Sequence, residues 1–262
     1  MLRAFFSSAT GMRAQEVLID VTANNLANVN TNGFKRHHVD FADLLYANGR
    51  QAGGQVTQDT TAPVGMQIGS GVRVVGTTKI FSPGNSQETQ NPTDVAIEGE
   101  GFFQVTLPDG SFAYTRDGAF RMDGQGQLVN GDGLLLADAI TIPDQTALQT
   151  LTIGQDGTVA VQDDGAAQQI GQIQLHRFRN PAGLENIGGN LLIETPASGP
   201  VQSDIPGNEG FGVLRQSFLE ISNVEVVREL VSLISAQRAY EINSRAIRAG
   251  DEMLSNTAQI VR

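Results

Sequence analysis

Val226-Val227-Arg228-Glu229-Leu230-Val231-Ser232-Leu233-Ile234-Ser235-Ala236-Gln237-Arg238-Ala239-Tyr240 opens the stretch that decides how this chain is built. Val226, Leu230, Leu233, Gln237, Tyr240, Ser244, Ile247, Asp251 and Leu254 recur at steps of four and three, the spacing of one helix face. Val227, Val231 and Ile234 widen that face in its first half. Ser222 or Asn223 is placed to cap the start, and Glu225 and Glu229 lie where the helix dipole favours acids. A helix predicted over residues 223–258 would be about 54 Å long at 1.5 Å per residue. That exceeds the usual globular helix and points to a coiled coil or an assembly element. Gln237, Ser244 and Asp251 on the seam weaken a simple two-stranded coil and suit a surface with several different neighbours.

The other end of the chain mirrors this one. Leu2, Phe5, Ala9, Met12, Ile19, Ala23 and Leu26 are spaced mainly by three, four or seven residues, with Leu18 and Val21 broadening the stripe. Gly11 is a weak point worth about 1 kcal/mol in a helix interior. The pattern stops at Asn28-Val29-Asn30-Thr31-Asn32-Gly33, a cluster that ends helices and supplies a residue free to take positive φ.

Between the ends the signal is β. Val95-Ala96-Ile97, residues 101–107, Leu151-Thr152-Ile153, Thr158-Val159-Ala160-Val161 and residues 170–175 are short strand-like runs. Asp109-Gly110, Asp117-Gly118, Asp123-Gly124, Asn130-Gly131, Asp132-Gly133, Asp156-Gly157 and Asp164-Gly165 punctuate them as hairpin turns in which both residues tolerate φ > 0. Thirty glycines in 262 residues exceed the usual share of about 7% and agree with many tight turns. Residues 80–215 read as a mostly antiparallel domain with Greek-key or barrel-like pairing. Phe112, Tyr114 and Phe120 are expected in its core. Residues 34–79 are intermediate: Phe41, Leu44, Leu45 and Tyr46 predict a short helix, and Gly71-Val72-Arg73-Val74-Val75 returns to strand.

The fold class is therefore mixed: a discontinuous, coiled-coil-like helical domain from both termini, an extended connector, and a mostly antiparallel β domain. The expected boundaries are an N-terminal helix over 1–30, a connector with a short helix and hairpin over 31–79, a β domain over 80–220 and a C-terminal helix over 221–262. Charge supports the division. Residues 81–176 hold thirteen acids and two bases, Arg116 and Arg121, so this window accounts for the whole net charge of −11. The near-neutral ends can be packed together without strong self-repulsion.

Composition and spacing exclude much chemistry. An acidic chain is a poor partner for nucleic acid, and the absence of cysteine removes disulfides and thiolate ligands. No run of about 18 apolar residues is present, so no direct membrane insertion is expected. Ser7, Ser8, Thr10, Arg13, Gln15 and Glu16 interrupt any secretory h-region. His37 and His38 are adjacent and point to different faces, which argues against a shared metal, and His176 reads as an ordinary strand-end residue. Asp123-Gly-Gln-Gly-Gln-Leu lacks the alternating ligands and closing acid of a calcium loop. No phosphate loop or nucleophile elbow is visible. The expectation is no enzyme, no cofactor and no metal. The alternative from another class is a secreted carbohydrate- or peptidoglycan-processing protein with an acid pair in the β domain.

Three blocks carry a family resemblance. Ala23-Asn24-Asn25-Leu26-Ala27-Asn28-Val29-Asn30-Thr31-Asn32-Gly33-Phe34-Lys35 resembles the signature of bacterial flagellar rod and hook proteins, in which Asn24, Asn25, Leu26, Asn28, Gly33 and Phe34 are the marked positions. Ser222-Asn223-Val224 through Gln237-Arg238-Ala239-Tyr240-Glu241-Ile242-Asn243-Ser244 resembles their C-terminal helix. Residues 94–103 and Tyr114-Thr115-Arg116-Asp117-Gly118-Ala119-Phe120 resemble the start of their β domain. Length and block order match the distal rod members of the family.

The resemblance implies a structural subunit exported without a cleaved signal. It would polymerise helically into a hollow, rigid shaft that carries motor torque to the hook and lines the export channel. Implied partners are further copies of the chain, proximal rod proteins below, hook protein above, the surrounding periplasmic and outer-membrane rings, and a rod cap during assembly. The implied location is the basal body, in the periplasm. Leu2, Phe5, Met12, Ile19, Leu26, Val226, Leu230, Leu233, Tyr240, Ile247 and Leu254 are the expected subunit-packing residues. Asn24, Asn25 and Asn28 are expected to cap and bridge at the turn, and Arg228, Arg238, Arg245 and Arg248 to form ion pairs between subunits with Glu225, Glu229, Glu241 and Asp251.

Overall fold

A computed structural model describes residues 2–50, 53, 55–57, 60–61, 63–138, 140–142, 150–163 and 166–260. Two helices bracket a strand-rich chain: α1, Leu2–Ala27, and α2, Val226–Ile260. Two compact units result. Met1–Ala27, His37–Thr78 and Glu225–Arg262 form a helical unit, and Asn28–Arg36 with Lys79–Val224 form a β unit.

α2 is 35 residues long, about 52 Å at 1.5 Å per residue. Neither Ser222 nor Asn223 caps it. The Ser222 hydroxyl accepts from Val224 N at 3.3 Å, and the Asn223 amide is bound to the backbone of Arg36, Ile80 and Ser82. The first turn closes instead between Glu229 N and Glu225 O, 3.0 Å apart.

The short helix expected at Phe41–Tyr46 is absent. Those residues belong to the strands His37–Asp43 and Tyr46–Arg50 and the turn between them, the first paired with Val72–Lys79 and the second antiparallel to Met66–Gly69. A short apolar run cannot distinguish helix from strand by itself, and here cross-strand pairing decides. Val39 is buried between the exposed His38 and Asp40, the alternation of a half-covered strand, whereas Phe41, on the same face as Val39, is exposed.

In the β unit, seven strands form one antiparallel sheet. Its order is Arg121–Met122, Leu128–Val129, Leu135–Leu136, Phe103–Thr106, Phe112–Thr115, Leu191–Ile193 and Glu185–Gly188. Its two outer strands leave it open, so it is not a closed barrel. Leu151–Ile153, Thr158–Asp163 and Ala166–Gln172 form a second, three-stranded sheet with a bulge between Val159 and Ala160. Val95, Ile97, Phe103, Phe120, Leu136, Ile153, Val159, Ile173, Leu175 and Leu214 belong to the principal core cluster. Phe102, Tyr114 and Phe178 form a second cluster, with Tyr114 and Phe178 edge to face at 4.8 Å. Phe112, expected in the core, is 52% exposed. It is the first residue of its strand, and although it shares a face with Tyr114, the second cluster covers Tyr114 and does not include Phe112.

The Asx-Gly turns form hairpins, but by a different route from the one expected. The aspartates in the described residues keep negative φ, and the left-handed residue is a glycine: Gly110 and Gly157 directly after Asp109 and Asp156, and Gly126 and Gly133 three residues after Asp123 and Asn130. Asp164-Gly165 lies outside the described residues. Asx side chains cap several of these turns: Asp123 Oδ1 accepts from Gln125 N and Gln127 N, and Asn130 Oδ1 from Asp132 N and Leu134 N, at 2.8–3.0 Å. This is the three-residue hairpin loop with a glycine bulge, rather than the two-residue turn.

His176 is not an ordinary strand-end residue. It is buried in the strand Leu175–Arg177, with Nδ1 2.8 Å from Ser203 Oγ and its ring 5.6 Å from that of Tyr114. Burial pushes its pKa down to about 4. Burial pushes Asp138 the other way, up to about 6, against the hydrogen bond from Gln174 N. The two oppose each other. From pH 6.5 towards 4 the unfolded chain binds the histidine proton and the folded chain does not, so stability falls. From pH 6 towards 4 the folded chain binds the Asp138 proton first, so stability rises. Each proton is worth about 1.4 kcal/mol per pH unit in its window. Denaturant titrations should therefore show a nearly flat stability between pH 6 and 4. Asp138→Asn should expose the acid loss due to His176, and His176→Gln should reverse the slope. Identical pH profiles for all three chains would refute the assignment.

Candidate functional site

The helical unit is an antiparallel pair. A side chain added at Gly250 would meet the Phe5 ring at 2.7 Å, one added at Gly11 would meet Asn243 Nδ2 at 2.9 Å, and Asn25 reaches Glu229 at 3.3 Å. The face of α2 turned inward runs through Glu229, Ala236, Asn243 and Gly250, seven residues apart and buried or half-buried. Gly11, Ala14 and Thr22 oppose it from α1. Small residues let two backbones approach closely, which is why Gly11 and Gly250 stand in helix interiors at the cost glycine carries there.

That seam is rotated from the stripe read off the sequence. Phe5, Met12, Ile19, Leu26, Leu233 and Ile247 are half-buried, whereas Val226, Leu230, Tyr240 and Leu254 are exposed. The side chain of Leu2 lies outside the described residues. Apolar periodicity marks which side chains want cover, and the intrachain partner takes the small face instead. Among the described residues, thirty-one apolar side chains are buried and only Ala14, Val39 and Ala236 belong to the helical unit. Of twenty-one large apolar side chains that are exposed, seventeen belong to it. Val226, Val227, Leu230, Val231 and Ile234 form one uncovered patch on a little over two turns of α2. A patch of this kind marks an interaction surface.

Asn25 fastens the helices to the first strand. Its Oδ1 accepts from His37 N and its Nδ2 donates to His37 O, both at 2.9 Å, so the amide completes a backbone pairing as another strand would. The same Nδ2 donates to Glu229 Oε2. Asn25 and Glu229 are 1% and 2% exposed. The bridging role expected of Asn25 is therefore local to this unit, and Asn28 accepts from Thr31 Oγ1 in the turn at 3.1 Å. Glu229 is a buried acceptor rather than a surface ion-pair partner. Of the expected partners, Arg228 pairs with Glu225 at 3.5 Å across the start of α2 and Arg245 with Glu241 at 3.6 Å within it, both inside one chain and exposed.

In the β unit the signature residues converge on a buried charge cluster. Gly33 has φ of 68°, and a Cβ there would lie 2.6 Å from Asp117 N, so only glycine fits. Its N–H donates to Glu220 O, and Phe34 beside it is buried. Lys35 Nζ lies 2.6 Å from Glu220 Oε1, and Arg116 Nε lies 2.9 Å from Glu220 Oε2, all three side chains being 5% exposed or less. The remaining polar atoms are satisfied. Lys35 donates to Ser82 O, Arg116 Nη1 to the carbonyls of Gly99 and Gly101, and Gly84 N to Glu220 Oε1.

Burial pulls the Lys35 ammonium below its ordinary range, against the attraction of Glu220. Burial alone would push Glu220 up, but Arg116 and Lys35 hold its carboxyl below the usual range. Two cations face one carboxylate. The surplus positive charge reaches Lys79, which is pushed down to about 8 by burial first and by Lys35 second.

Gly33, Phe34, Lys35 and Arg116 all fall within the family-like blocks, whereas Glu220 lies just outside them. Its signal was indirect: Arg116 is one of two bases in a window of thirteen acids, and a lone base there needs a dedicated partner. Among the described residues no group of three His, Asp or Glu side chains could hold a metal ion. Among the described residues no helix is long and apolar enough to cross a membrane.

Comparison with known proteins gives this architecture its relatives. Residues 7–35 match the family described as flagella basal body rod protein, residues 96–161 the flagellar hook protein FlgE/F/G D1 domain, and residues 215–260 the flagellar basal body rod FlgEFG protein C-terminal region. The chain is 47% identical to flagellar basal-body rod protein FlgG of Borreliella burgdorferi, over 97% of each chain. It is 49% identical to the FlgG of Buchnera aphidicola subsp. Schizaphis graminum, over 99% of this chain and all of the relative. It is 39% identical to the FlgG of Bacillus subtilis over the full length of both. With three family matches falling on the two helices and the β unit, and relatives matched from end to end, the chain belongs to the bacterial flagellar basal-body rod and hook family.

Proposed function

We propose that the chain is the repeating structural subunit of the distal rod, polymerising helically into a hollow, rigid shaft that carries torque to the hook and encloses the export channel. The observation that carries this reading is the helical unit without a core of its own. Its apolar side chains face outward in number, and a helix is stabilised mostly by what its apolar face packs against. Identical subunits in heterologous contacts that do not close build a filament. Val226, Leu230, Tyr240 and Leu254, with the half-buried Phe5, Met12, Ile19, Leu26, Leu233 and Ile247, are the packing residues of that reading, together with Leu2. The helices from both termini would form the inner wall, and the β unit, which holds the acidic excess, would face outward. Proximal rod proteins, hook protein, the surrounding rings and an assembly cap would be its neighbours, reached by export without a cleaved signal.

Electron cryomicroscopy of the assembled full-length chain tests this. The expected result is a tube with α1 and α2 innermost. Discrete monomers under assembly conditions, or tubes with the β unit lining the lumen, would overturn it.

A further inference from the structure

One face of the helical unit is concave and cationic. A groove with two lobes of about 400 and 290 Å³, sharing Thr10 and Leu44, runs between α1 and the strand Val72–Lys79. Phe6, Val17, Leu44, Val72 and Val74 supply its apolar surface, and Arg3, Arg13 and Arg73 its charge. The groove is built in. Gly71, at φ of 118°, brings the start of the strand so close that a Cβ there would lie 2.1 Å from Thr10 Oγ1. That hydroxyl donates to Ser7 O at 2.9 Å and accepts from Val72 N at 3.4 Å.

All three arginines are exposed, and none has an ion-pair partner among the described residues. Arg3 stands in the first turn of α1, which holds no acid, so its charge opposes the helix dipole. It gains nothing locally from being there.

The complementary charge lies at the far end of α2. Asp251, Glu252, Met253 and Leu254 are all exposed, and neither acid is ion-paired among the described residues. No base occupies the last turn of the helix. This segment thus offers two acids and two large apolar side chains within about one turn. Its own groove is not its site. Gly250 already sits against Phe5 on the helix seam, and the residues lining the groove come from α1, Leu44 and residues 70–74, none from α2.

We propose that the groove receives the segment Asp251-Glu252-Met253-Leu254 of a second copy of the chain. Met253 and Leu254 cover the apolar floor, while Asp251 and Glu252 meet Arg13 and Arg73 at the rim, with Arg3 at the outer lobe. Groove and segment are different surfaces, so each docked pair leaves one of each free and the contact continues without closing. This contact deepens the polymerisation reading above and rests on it.

Charge exchange in the full-length chain tests it. Arg13→Glu with Arg73→Glu, and separately Asp251→Arg with Glu252→Arg, should each raise the critical concentration for assembly about tenfold or more, an effect that shrinks as salt screens the charges. The four changes combined should restore assembly. Because the chain has no cysteine, cross-linking gives a second readout: copies carrying only Leu44→Cys, mixed with copies carrying only Leu254→Cys, should form mixed disulfide dimers in the assembled state. Tubes that form from the unaltered chain without the mixed dimer, or variants that the combined exchange fails to restore, would overturn the contact and leave the polymer reading standing, with the groove taking another partner. Monomers of the unaltered chain with no mixed dimer at any concentration would overturn both.

Discussion

Deleting residues 1–20 should leave a folded β unit and no polymer at all. The three hydrophobic clusters of the structure lie wholly within residues 81–214, among the strands of the β unit. None of their members comes from α1, so the deletion removes no core contact. It does remove Gly11 and Ala14 from the helix seam and Phe5 from Gly250, so the part of α2 around Asn243 and Gly250 loses its packing against α1. An isolated helix of that composition is marginal in water. The truncated chain should therefore scatter light as a monomer at concentrations where the full chain assembles. It should keep one cooperative denaturant transition with a midpoint close to that of the full-length β unit. Tubes of normal morphology from the truncated chain would sink the structural reading, and a collapse of the β transition would show that the units are not independent in stability.

Glu220→Ala should be the most damaging single substitution in the β unit. It leaves Lys35 and Arg116 buried side by side with no carboxylate between them. Removing one partner of a buried ion pair costs about 3–5 kcal/mol, because the remaining charge has no solvent to turn to. At about 2–4 °C per kcal/mol for a chain of this size, the thermal midpoint should fall by roughly 6–20 °C. Glu241→Ala, which breaks the exposed pair with Arg245, should cost under about 1 kcal/mol by comparison. Adding Lys35→Met to Glu220→Ala should recover part of the loss, since one of the stranded cations is then gone. A loss below about 1 kcal/mol for Glu220→Ala would mean that water reaches the cluster.

The sequence carried the architecture more readily than the contacts. Two amphipathic ends around a turn-rich middle are legible because helix and strand periods differ and Asx-Gly pairs punctuate strands. The helix seam was not legible. Apolar spacing points to Val226, Leu230 and Tyr240, but the chain uses Glu229, Ala236, Asn243 and Gly250 for itself and keeps the larger side chains outside. A residue's hydrophobicity reports that it will be covered, without reporting by which molecule. Phe41 to Tyr46 misled for a related reason: a short apolar run takes its conformation from its pairing strand, here Val72–Lys79 and Met66–Gly69. The charge cluster is the third case. Lys35, Arg116 and Glu220 are separated by 81 and 104 residues, and no local pattern links positions so far apart.

The coreless helical unit also has a kinetic meaning. Two free copies that met would have to order four long helices and would gain only one shared contact, while each ordered residue costs about 1–2 kcal/mol of backbone entropy. A copy arriving at an existing end would find several prepared neighbours at once. On the polymerisation reading, starting a new polymer would therefore be slow and lengthening an old one fast. Such subunits would stay dispersed until a seed exists, and the number of shafts would be set by the number of seeds rather than by the supply of subunits.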